Sequence, residues 1–91
     1  QRVRLRFHLG PLDRRETREY IEHRLEIAGC DRKDLFGEDC FDVIHRYTGG
    51  VPRLINAVCD KTLLCGYVEG RDRLGYWQVR RAAKELGGRG P

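Results

Sequence analysis

The stretch Tyr47-Thr48-Gly49-Gly50-Val51-Pro52-Arg53-Leu54-Ile55-Asn56 holds the residues whose types and order suit chemistry best. Two glycines end one helix, a proline opens the next, and an arginine follows in its first turn. Unpaired backbone amides at a helix N-terminus favour anions there. A guanidinium stays charged and can contact two phosphate oxygens at once, which a lysine ammonium cannot do in the same planar way. The spacing therefore points to phosphate at Arg53. From local pattern alone, a solvated first-turn charge is the competing reading.

Other catalytic chemistries find little support. The chain contains no serine, which removes the Gly-x-Ser-x-Gly elbow and every serine triad. Cys40, Cys59 and Cys65 fall on helical apolar stripes, where burial raises a thiol pKa and quenches the nucleophile. Cys30, Cys40, Cys59 and Cys65 include no Cys-x-x-Cys pair, and His8, His23 and His45 are not spaced as zinc partners, so no metal site is expected. The four cysteines read as reduced thiols rather than as the staples of a secreted domain. Asp39 with Asp42, and Glu19 with Glu22, read as solvated helix faces.

The elements that must position these residues are legible from periodicity. Val3, Leu5, Phe7 and Leu9 alternate with Arg2, Arg4, Arg6 and His8, the pattern of a half-buried strand. One strand makes no sheet, so its neighbours are expected outside this chain. The start at Gln1, inside an element, reads as that of an excised fragment. Asp13 with Glu16 forms a capping-box signature, and Thr17, Tyr20, Ile21, Leu25 and Ala28 recur at helical spacing until Gly29. Leu35 and Phe36 are expected to pack a connecting turn onto the core. Cys40, Phe41, Ile44 and Tyr47 mark a second, short helix closed by Gly49-Gly50. Pro52 opens the most apolar helix, with Leu54, Ile55, Val58, Cys59, Leu63 and Leu64, which predicts a central position. A break over residues 66–75 leads to a last helix carrying Tyr76, Trp77, Val79, Ala82, Ala83 and Leu86, followed by a frayed tail. The expected fold is all-α, a small four-helix bundle with one N-terminal strand. Its parts are residues 1–10 as the end of a preceding core, 11–86 as the helical domain and 87–91 as a flexible tail.

Ninety-one residues at 40% hydrophobic and 35% charged can form one small core, although such a domain buries only about 60% of its unfolded surface. No apolar run approaches the roughly 20 residues of a membrane span, and the start lacks the apolar block of a signal peptide. The net charge of +4 is mildly basic.

The order Gln1-Arg2, a short strand, Leu9-Gly10-Pro11-Leu12, Glu16-Thr17, Tyr20-Ile21-x-x-Arg24-Leu25, Gly49-Gly50-Val51-Pro52-Arg53-Leu54-Ile55-Asn56 and Cys59-Asp60 resembles the C-terminal lid of AAA+ ATPases of the general secretion pathway protein A (ExeA) type. It extends from residue 1 to about residue 86, and the Gly-Gly-Val-Pro-Arg-Leu-Ile-Asn stretch is its specific part. The resemblance implies a helical lid beside a P-loop core, with Arg53 as the sensor 2 arginine that reaches the γ-phosphate of ATP and Pro52 beside it. Tyr20 and Ile21 would lie near the adenine, although helical spacing equally makes them core residues. Arg2 would be an arginine finger acting on the neighbouring subunit's nucleotide; a solvated basic edge formed with Arg4 and Arg6 is the competing reading.

The chain has no Gly-x-x-x-x-Gly-Lys-[Ser/Thr] and no apolar run ending in paired acids, so phosphate cradle, Mg ligands and water-activating carboxylate are expected in a separate core. No activity and no tightly held ATP are expected of this chain alone; the parent implied by the resemblance is an ATPase. The implied partners are the AAA+ core of the same protein and further copies in a ring. The implied setting is cytoplasmic, in secretion or pilus machinery assembly, with the parent associated with the inner membrane. The alternative from the residues themselves is a basic helical nucleic-acid-binding domain. Arg14, Arg15 and Arg18 crowd the first helix, and Arg80, Arg81 and Lys84 the last, yet no helix pairs base-reading Asn or Gln with Arg.

Overall fold

The computed structural model describes residues 10–30, 32 and 34–87. Four helices form an all-α bundle: α1 (Arg14–Ile27), α2 (Glu38–Thr48), α3 (Pro52–Val68) and α4 (Tyr76–Glu85). The strand expected over residues 2–9, with Arg2 in it, and the tail from residue 88 lie outside the described residues.

Local chemistry accounts for most helix ends. At α1 the Asp13 carboxylate accepts from the Glu16 N–H at 2.8 Å, while Glu16 Oε1 accepts from the Asp13 N–H at 2.9 Å, which closes the capping box. The same helix stops at Gly29 (φ 87°), where the Cys30 N–H reaches back to the Leu25 carbonyl. At α2, Gly49 (φ 63°) takes the left-handed position that an L side chain resists. The expected break at Gly66 does not occur, and α3 runs two residues further. Gly66 is buried, and a Cβ there would stand 2.4 Å from Leu74 Cδ2, so this glycine gives Leu74 room rather than ending the helix. The stop is Gly70 (φ 71°), with the Arg71 N–H on the Gly66 carbonyl.

The α1–α2 and α3–α4 connectors are pinned to each other. The Gly37 N–H donates to the Leu74 carbonyl at 2.9 Å and the Leu74 N–H to the Leu35 carbonyl at 2.8 Å, giving one isolated bridge between Phe36 and Leu74. Both side chains are buried, and Cys40 Sγ also donates to the Leu74 carbonyl at 3.4 Å. Phe36 and the half-buried Leu35 thus pack their turn against the core as their apolar character suggests.

Among the described residues, α2 and α3 each touch the other three helices, whereas α1 and α4 do not meet. Ile44 of α2, Ile55 of α3 and Val79 of α4 are fully enclosed. The central position expected for α3 is therefore shared with α2. Only one side of α3 is covered, by way of Ile55, Val58, Cys59, Thr62 and Gly66. Leu64, Tyr67 and Val68 remain 59%, 84% and 74% exposed.

Candidate functional site

The α2–α3 turn is rigid for reasons visible at each residue. Thr48 Oγ1 donates to the Ile44 carbonyl at 2.7 Å and accepts from the Gly50 N–H at 3.2 Å. Gly50 has φ 81°, and a Cβ on it would stand 1.9 Å from the Leu12 carbonyl oxygen. That approach lets the Leu12 N–H donate to the Gly50 carbonyl at 2.9 Å, tying the entrance of α3 to the entrance of α1. Gly50 is thus required twice, for its backbone angle and for its missing side chain.

On this base the first turn of α3 begins. Val51 is the N-cap, Pro52 the first helical residue, and the Leu54 and Ile55 amides both turn back to the Val51 carbonyl at 2.9 Å. Arg53, the second helical residue, is exposed, and its guanidinium has no hydrogen bond or ion pair with any described residue. Most other cations are occupied. Arg14 pairs with Asp42, Arg15 with Glu19 at 3.4 Å, and Arg24 with Asp60 at 4.0 Å. Arg18 binds Glu38 at 2.6 Å and Glu22 at 3.1 Å, and lies 4.7 Å from the Phe41 ring centre. Hydrogen bonds from Arg18 hold the Glu38 carboxyl below the usual carboxylate range. Among the described residues the cations without a carboxylate partner are Arg46, Arg53, Arg80 and Lys84.

Tyr20 and Ile21, adjacent in sequence, have different surroundings. Ile21 is 2% exposed and belongs to the core. Tyr20 is half-buried, and its hydroxyl donates to Asn56 Oδ1 at 2.9 Å, one helical turn beyond Arg53. Asn56 closes the Gly-Gly-Val-Pro-Arg-Leu-Ile-Asn stretch, and nothing in the sequence pairs it with Tyr20. An Asn one turn after the arginine is its sequence signal, but which α1 residue it would meet depends on how the helices cross. Pro52 is exposed beside Arg53, while Arg2 lies outside the described residues.

All four cysteines are free thiols. Burial pushes Cys40 up to about 11 and Cys59 up to about 12, so neither is a thiolate at neutral pH. Among the described residues no three His, Cys, Asp or Glu side chains gather as a metal set, and no helix is long and apolar enough to cross a membrane.

Fold and site together define a small all-α bundle whose central helices are joined by a Gly-Gly-Val-Pro-Arg turn. Over 88 residues, 97% of its length, the chain is 35% identical to general secretion pathway protein A of Aeromonas hydrophila. The similarity runs along nearly the whole of this chain, which spans 16% of the length of that relative. No protein-family model and no solved structure matches it.

Proposed function

We propose that this chain is the C-terminal lid, or sensor 2 module, of an AAA+ ATPase, coupling ATP binding and hydrolysis to lid motion in secretion or pilus machinery assembly. The observation that carries this reading is the free guanidinium of Arg53 on the first turn of α3, in a bundle whose α1 arginines are already held by carboxylates. A cation kept free on a turn this rigid is ready for an anion from outside the bundle.

In this reading Arg53 meets the γ-phosphate of ATP held by a separate P-loop core, which also supplies Mg. The charge-assisted contact exists with triphosphate and is lost with diphosphate, so the lid reorients as a rigid body. Tyr20 and Pro52 border the nucleotide, whereas Ile21, 2% exposed, serves the core. Arg2 serves as a finger toward a neighbouring subunit in a ring. The module sits in the cytoplasm, its parent at the inner membrane, and it does not hydrolyse ATP alone. The secretion role rests on the relationship to general secretion pathway protein A.

The test is Arg53→Ala in the full-length parent. A charge-assisted hydrogen bond of about 1.5–3 kcal/mol corresponds to a loss of roughly 10- to 150-fold in turnover or in ATP-over-ADP discrimination, with the helical circular dichroism unchanged. Arg53→Lys should recover only part of the loss. Wild-type turnover and wild-type discrimination in Arg53→Ala would overturn the assignment.

A further inference from the structure

The outer face of α4 takes no part in the reading above. Trp77, Arg80, Arg81 and Lys84 stand at i, i+3, i+4 and i+7, opposite the buried Val79, Ala82 and Ala83. With Glu85 they line a shallow groove of about 430 Å³. The Trp77 indole is 66% exposed and is held edge-on by the Tyr76 ring, with centroids 4.9 Å apart at 84°. The Arg80 guanidinium lies over the indole ring, 5.6 Å from its centre, a cation–π contact on one face that a stacking base would have to share or displace. Arg81 is tied to Glu69, but Arg80 and Lys84 have no carboxylate partner among the described residues.

We propose that this face docks single-stranded nucleic acid, with one base stacked on Trp77 and neighbouring phosphates on Arg80 and Lys84. An exposed indole beside two cations that lack a carboxylate partner suits the two things an unpaired strand presents, flat bases and a charged backbone. Arg80 and Lys84 are four residues apart, about 6 Å along the axis, so their long side chains can serve adjacent phosphates. A lipid surface fits less well. The apolar side of α4 is spent on the core, and an interfacial helix must bury that side in the bilayer. An acidic polypeptide would meet the cations and leave the indole without a stacking partner. Of the two basic helices α1 and α4, only α4 carries cations without a carboxylate partner among the described residues, because the α1 arginines are paired within the bundle.

Trp77 is the chain's sole tryptophan, so its emission reports the contact directly. The 91-residue chain is titrated at low salt with a short oligothymidylate, with polyglutamate and with vesicles containing anionic phospholipid. Saturable quenching by the oligonucleotide alone is expected, with a log–log salt slope of about −1.4 for two phosphate contacts. By anisotropy of a labelled oligonucleotide, Trp77→Ala should bind roughly tenfold more weakly, and Trp77→Phe should retain most of the affinity. Arg80→Gln with Lys84→Gln should abolish the salt slope, whereas Arg15→Gln on α1 should bind like the wild type. Absence of quenching, equal response to polyglutamate, a blue shift on vesicles, or full affinity in the Arg80/Lys84 double variant would each overturn the proposal.

Discussion

Thr17 shows what a single buried hydroxyl can cost. It is fully enclosed in α1, and its Oγ1 has no hydrogen-bond partner among the described residues. An unsatisfied buried hydroxyl destabilises, and valine keeps nearly the same shape without it. Thr17→Val is therefore expected to raise stability by about 1 kcal/mol, read from the midpoint of denaturant unfolding. Thr62 provides the contrast, because its hydroxyl donates to the Val58 carbonyl at 2.7 Å and has already found an acceptor. Thr62→Val should gain less than Thr17→Val. Arg53 is the complementary residue: its charge stays in solvent and stabilises little, so removing it should leave the unfolding midpoint almost unchanged while altering the parent's response to nucleotide.

At the scale of elements, the decisive unit is the turn between α2 and α3. Gly49 caps one helix, Gly50 lets the Leu12 backbone approach, and Pro52 starts the next helix with no amide left to satisfy. Gly50→Ala combines a left-handed backbone with a Cβ driven into the Leu12 carbonyl, and should cost more than about 2 kcal/mol by thermal unfolding. Gly49→Ala has the same class of φ but no atom within 4 Å of the added Cβ, so only the backbone term of about 1–2 kcal/mol applies. A Gly50→Ala cost no larger than that of Gly49→Ala would mean that the Leu12 strap does not hold the turn. In that case Arg53 would lose its fixed position relative to α1.

Across the whole molecule, stability should depend on pH from both sides. Glu38 is depressed from 4.5 by hydrogen bonds from Arg18, and Glu69 is depressed from the same value chiefly by Arg81. A depressed carboxylate contributes stability that is present above 4.5 and is lost as pH falls through its lowered value. Cys40 and Cys59 are raised from 9.0 to about 11 and about 12, mainly by burial. Their contribution is complete below 9.0 and is lost as pH climbs through the raised values. The melting temperature should therefore be flat near neutrality and fall at both extremes. Glu38→Gln should reduce the acid-side slope, and an unchanged slope would exclude the Arg18 pair as its source. Native-state alkylation should leave Cys40 and Cys59 unmodified until the bundle unfolds.

What the residues determined by themselves was local. Asp13 with Glu16 set the start of α1, and Gly49, Gly50 and Pro52 set the join of α2 to α3. The stripes through Ile21, Ile44, Ile55 and Val79 set the buried faces, because caps, left-handed glycines and helical periodicity act within a few residues. Gly66 looked like a helix stop, yet its role is room for Leu74, eight residues away in sequence and in contact only after folding. Leu54 and Leu64 looked as deeply set as Ile55, yet α3 has neighbours on one side only. The partner of Tyr20, the pairing of the α1 arginines with α2 and α3, and the lack of a carboxylate partner for Arg53, Arg80 and Lys84 among the described residues were decided by tertiary structure alone. Whether a charge is quenched or left for a ligand depends on how the helices cross, and periodicity within one helix carries no record of that crossing.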